Sequence, residues 1–92
     1  MSYSYAEQRE SLFTERGQRL FTGMRDHIKK LLKTAGAFRM SEGMTLPPGI
    51  GAADSWEQMA VIDRLVELGE IVELPRKCWA QYRVFTTPER SA

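Results

Sequence analysis

The chain has one cysteine, Cys78, and one histidine, His27. A lone thiol excludes an internal disulfide. One residue of each kind falls short of the roughly four ligands of a structural zinc site. A Cys–His nucleophile pair would need the two side chains to meet. Nothing in their spacing brings them together. Cys78 falls in an expected hairpin turn and His27 follows Asp26 and precedes Ile28 on an expected helix. The glycines form no phosphate loop. Gly49-Ile50-Gly51 lacks the Lys-Ser/Thr that should follow, and no strand leads into it, so it reads as a loop. No cofactor and no metal are therefore expected, and the chain is not expected to be an enzyme. No apolar run approaches the roughly 20 residues that cross a bilayer, so a membrane is not an expected partner. The start, MSYSYAEQRE, lacks the apolar centre of an export signal. Together with the single thiol, this makes the cytoplasm the expected location.

An excess of charge of either sign is also lacking, since the net charge is only +1 over 92 residues. The distribution says more than the sum. Residues 1–34 hold seven basic side chains against four acidic ones, and residues 54–74 hold Arg64 against six acids. Residues 75–92 hold four basic side chains against Glu89. Both ends are basic and the stretch between them is acidic. With 42% hydrophobic and 27% charged residues, the composition is that of a folded domain. The length suits one domain with one core. It is expected over residues 12–88, after an extension at 1–11 and before a tail at 89–92. There is no internal repeat and no low-complexity segment.

Ser4 and Glu7 have capping-box spacing, so residues 1–11 form either a short helix or a frayed end. From Leu20 the apolar residues Leu20, Met24, Ile28, Leu31 and Leu32 follow one helical face. Gly17 is a candidate break between a short leading helix and the main one. Gly36 is a candidate stop. Arg25, Lys29 and Lys33 fall opposite the apolar face, with Lys30 beside them. Phe38 and Met40 flank Arg39 as a short strand would, at Ala37 to Met40. Residues 37–53 then carry Gly43, Pro47, Pro48, Gly49 and Gly51. That density leaves room for only one short helical turn, near Ser41 to Thr45. A second major helix starts at Asp54 or Ser55, capped through Glu57 or Gln58 respectively. It ends at Gly69. Glu70 to Leu74 and Trp79 to Thr86 read as two strands of an antiparallel hairpin, broken by Pro75. The expected core is Leu20, Met24, Ile28, Leu31, Met59, Ile62, Leu65, Ile71, Tyr82 and Val84.

The fold class is therefore α+β: one or two amino-terminal helices, a Pro/Gly-rich linker, a second major helix and a β-hairpin. The string from Leu65 to Leu74, followed by Tyr82-Arg83-Val84-Phe85, resembles the recognition helix and wing of winged helix-turn-helix domains. The likeness covers about a third of the chain. The Pro/Gly-rich segment departs from the family's usual second helix. The resemblance implies a DNA-binding module, regulatory in role, with the helix before the hairpin in the major groove and the wing tip on phosphates. The residues expected to contact phosphate are Arg76 and Lys77 at the wing tip, Arg25, Lys29, Lys30 and Lys33 on the first long helix, and Arg64. The acidic character of the helix from Asp54 opposes groove reading, because carboxylates are repelled by phosphates. A second class of function is an adaptor or inhibitor that binds a basic protein partner. It would use Glu57, Asp63 and Glu67 with exposed aromatics such as Trp56, Trp79 and Phe85. Either tryptophan taken alone is more at home partly buried. Separated charge would also support a homodimer.

Overall fold

The computed structural model describes residues 3–44, 54–75 and 83–91. The chain opens with a short helix α1, Tyr5–Gln8, which runs into a 3-10 helix, Arg9–Phe13. Helix α2 follows at Glu15–Ala35, then strand β1 at Ala37–Arg39 and helix α3 at Met40–Gly43. Helix α4 is Ser55–Glu67, strands β2 and β3 are Val72–Glu73 and Val84–Thr86, and helix α5 is Pro88–Ser91. The result is a small, mostly helical α+β structure with one three-stranded antiparallel sheet.

Helix α2 begins at Thr14, whose extended backbone breaks from the 3-10 helix and whose hydroxyl accepts from the Gly17 amide at 3.0 Å. This satisfies one of the amides that a helix start leaves without a partner. The break expected at Gly17 thus lies three residues earlier. Gly17 has another duty. A Cβ there would sit 2.1 Å from the Ser11 carbonyl oxygen and 2.7 Å from Leu12 Cα. Glycine lets the 3-10 helix lie directly on the first turn of α2. At its far end, α2 closes on Gly36 with φ of 83°, and the Gly36 amide donates to the Leu32 carbonyl. Leu20, Met24, Ile28 and Leu32 on its inner face are all buried.

Helix α4 is capped by Asp54, not Ser55: the Asp54 carboxylate accepts from the Glu57 amide at 2.8 Å. After Leu68 the chain turns through Gly69, whose φ is 77°. Met59, Ile62 and Leu65 are buried, as their spacing anticipates, and so are Ala60 and Val61. Ile71 joins them, whereas Leu31 and Val84 are only half-buried.

Strand β3 lies in the middle of the sheet, in the order β1-β3-β2. The short strand expected near Ala37 is present, and it pairs Phe38 with Phe85; β2 pairs Glu73 with Phe85 from the other side. The expectation that Phe85 is an exposed aromatic is corrected here. It is 0% exposed, and its ring stacks on Phe38 with centroids 5.4 Å apart. The cause is the central position of β3, whose inward face has helices above it and a neighbouring strand on each side. Thr86 is also buried, and its hydroxyl donates to the Gly36 carbonyl at 2.7 Å, tying β3 to the end of α2. Of the strand expected at Trp79 to Thr86, the described residues begin at Arg83, and Val84–Thr86 are strand. Tyr82, Trp79, Cys78, Arg76 and Lys77 lie outside them, as do the two prolines at 47 and 48.

Candidate functional site

The acidic stretch is engaged from within the chain. Residues 3–13 lie across α4 and bring donors to its carboxylates. The Tyr3 hydroxyl donates to Asp63 at 2.6 Å, and the Tyr5 hydroxyl donates to Glu67 at 2.9 Å. Arg9 Nε donates to the same Glu67 oxygen at 3.0 Å, and Arg64, one turn earlier on α4, donates to it as well. Asp63 also accepts from Arg83 at 2.7 Å. Arg83 closes the set by gripping both oxygens of Glu73 across the hairpin, at 2.9 and 2.7 Å. Farther along, Glu57 pairs with Arg16 and Glu70 pairs with Arg25, each at 2.8 Å.

These contacts set the protonation states. Hydrogen bonds from Arg64, Arg9 and Tyr5 hold the Glu67 carboxyl down at about 2. Burial, followed by the bond to Asp63, pushes the Tyr3 phenol well up. Burial and the bond to Glu67 do the same to Tyr5. Both phenols are therefore neutral donors at any physiological pH. Arg83 is held still more firmly in its charged form, first by Glu73 and then, against the effect of burial, by Asp63.

Aromatic contacts complete the arrangement. Tyr3 meets Trp56 edge to face at 6.5 Å. Trp56 is half-buried against the core rather than open. Arg9 and Arg64 both lie over the Phe13 ring, at 4.9 and 5.3 Å. Phe13 and Leu68 are about half exposed, and with Leu12, Gln18, Phe21 and Arg64 they line a groove of about 250 Å³. Phe13 and Leu68 carry no marker in the sequence beyond standing at the end of an apolar pair or helix.

The cations named from the sequence divide into two sets. Arg25 and Arg64 are spoken for by Glu70 and Glu67. Lys29, Lys30 and Lys33 are exposed on the outer face of α2, and they carry no ion pair among the described residues. Arg19 shares that face and is also exposed. Sequence reasoning passed over it, although 11 and 14 residues separate it from Lys30 and Lys33, spacings that return to one side of a helix. Asp26 interrupts the row, so the five residues carry four positive charges and one negative.

His27 lies 3.5 Å from the Glu42 carbonyl oxygen through Nε2. Among the described residues no group of three His, Cys, Asp or Glu side chains could hold a metal ion. None of their helices is long and apolar enough to cross a membrane. No protein-family model, curated protein or solved structure matches the chain.

Proposed function

We propose that the chain is a winged-helix-type module, regulatory in role, that contacts nucleic acid through its phosphates. The contact residues are Lys29, Lys30 and Lys33 on the outer face of α2, extended by Arg19. Arg76 and Lys77 in the hairpin connection belong to the same set by their place in the sequence. The observation that carries this reading is the division of charge. Five carboxylates of the acidic stretch, Glu57, Asp63, Glu67, Glu70 and Glu73, are each engaged by the chain's own side chains. The three lysines are exposed and without an ion pair among the described residues. The acidic stretch therefore repels phosphate less than its composition implies, while the lysine face keeps its attraction.

The order of elements and the hairpin after α4 support the winged-helix reading. The mode of contact is backbone binding and not base readout. With residues 3–13 seated across it, α4 has its acidic face covered, and Arg64 is committed to Glu67.

The test is a titration of labelled duplex DNA against wild type and the triple variant Lys29→Ala/Lys30→Ala/Lys33→Ala at several salt concentrations. Wild type should lose affinity steeply as salt rises. The variant's log–log slope should be shallower by about 2.7, if each lysine neutralises one phosphate. Absence of wild-type binding at low salt, or equal slopes, would overturn the proposal.

A further inference from the structure

We propose that the face of α4 carrying Trp56, Asp63 and Glu67 is a docking surface for a peptide segment bearing tyrosines and an arginine. In this structure the chain's own residues 3–9 occupy it as an autoinhibitory strap. The strap shows directly what chemistry the surface takes. Two phenol hydroxyls and one guanidinium reach two carboxylates, and one phenol ring packs on the edge of an indole. Opposite charge and matched donors orient the fit, and the partly buried tyrosine rings add apolar contact.

The strap is built to release. Helix α1 has only four residues and none of them is buried, and Ser4 at its head makes no side-chain capping bond. A helix that short has no stability of its own. What holds it is a set of partly exposed polar contacts, each individually weak, together with the partly buried rings of Tyr3 and Tyr5 against the core. The chain beyond it is anchored in a different way. Leu12 is 1% exposed, and its carbonyl accepts from Gln18 at 2.6 Å. Ser11 presses on Gly17. Residues 3–9 can therefore open locally while residues 11 onward stay seated on α2, as segments of low local stability do.

Opening need not disturb α4. Asp63 retains Arg83 and Glu67 retains Arg64 when Tyr3, Tyr5 and Arg9 leave. Each carboxylate then has room for a donor from a partner. A segment in trans must compete with a strap tethered at high local concentration, so its apparent affinity is reduced by the fraction of molecules that are open.

The probe is a fluorescein-labelled peptide with the sequence of residues 1–10, followed by anisotropy against the full-length chain. It should bind the strap variant Tyr3→Phe/Tyr5→Phe/Arg9→Ala at least about tenfold more tightly than wild type, because three restraints on closing are lost. Adding Asp63→Asn to the strap variant should weaken that gain. Circular dichroism and thermal melting confirm that each protein is folded. Should the triple variant unfold, Arg9→Ala alone serves, with a smaller gain in the same direction. Amide exchange on wild type supplies the second readout. Residues 5–9 should exchange much faster than the middle of α2. Equal probe binding by folded wild type and folded variant, or no binding to either, would overturn the proposal. So would protection of residues 5–9 equal to that of α2.

Discussion

Replacing Gly17 by alanine should destabilise the protein, although the same exchange at an ordinary helical position stabilises. Alanine is favoured over glycine in a helix by up to about 1 kcal/mol, and by less in the first turn, where Gly17 lies. Against that stands a Cβ only 2.1 Å from the Ser11 carbonyl oxygen and 2.8 Å from the Leu12 carbonyl carbon. Both neighbours are backbone, so neither can swing aside as a long side chain would. The 3-10 helix must shift outward, at the roughly 1–3 kcal/mol typical of overpacking. The shift also lifts Leu12 from a site where it is 1% exposed, and full burial of such a side chain contributes about 1.5–3 kcal/mol. A partial loss of that burial brings the net destabilisation to about 2 kcal/mol. For a domain this size the melting temperature should fall by roughly 8–16 °C. Far-UV circular dichroism, with thermal and urea unfolding, measures it directly. Gly69→Ala is the control. Gly69 has a φ of 77° but nothing within 4 Å of a built Cβ, so only left-handed backbone strain of about 1–2 kcal/mol applies. A Gly17→Ala protein as stable as wild type, or more stable, would refute the close approach of the two segments.

Phe85→Ala should cost about 3–5 kcal/mol, since it empties a fully buried ring site at the centre of the sheet; urea unfolding would show it as a lower midpoint with an unchanged slope. The acid side of the stability profile should carry the mark of Glu67. Its carboxyl is depressed from 4.5 to about 2 in the folded chain. It therefore stabilises the fold above its unfolded value, and that contribution fades as pH falls through about 2. The gap in melting temperature between wild type and Glu67→Gln, measured at low salt, should narrow as pH falls from 4.5 towards 2. It will be small throughout, because the site is solvent-screened.

Much of the secondary structure was legible because its signals are local. Asp54 sits three residues ahead of Glu57, and Gly36 and Gly69 close the two long helices. Leu20, Met24 and Ile28 repeat at helical spacing, as do Met59, Ile62 and Leu65, so their burial follows from period alone. Gly17 was half legible: its low helix propensity flagged a boundary, yet the reason for a glycine there is a neighbour that local reasoning does not see. Phe85 was misread because strand alternation says which residues share a face, not which face is covered. Arg19 was missed because it stands nearly three turns from the nearest lysine in a row that Asp26 interrupts.

Taken alone, the amino-acid order determined the caps and stops of the two long helices, the stretches within which strands form after α4, and that one acidic stretch lies between two basic ones. Those properties depend on neighbours a few positions apart, through capping, left-handed glycine and periodicity. Only the tertiary structure decided what the acids do. Tyr3 and Asp63 are 60 residues apart, Tyr5 and Glu67 are 62 apart, and Arg9 and Glu67 are 58 apart. An ion pair has no sequence period, because Coulomb attraction acts on distance in space. Whether a carboxylate faces solvent or a tyrosine was therefore settled when the amino-terminal segment folded across α4.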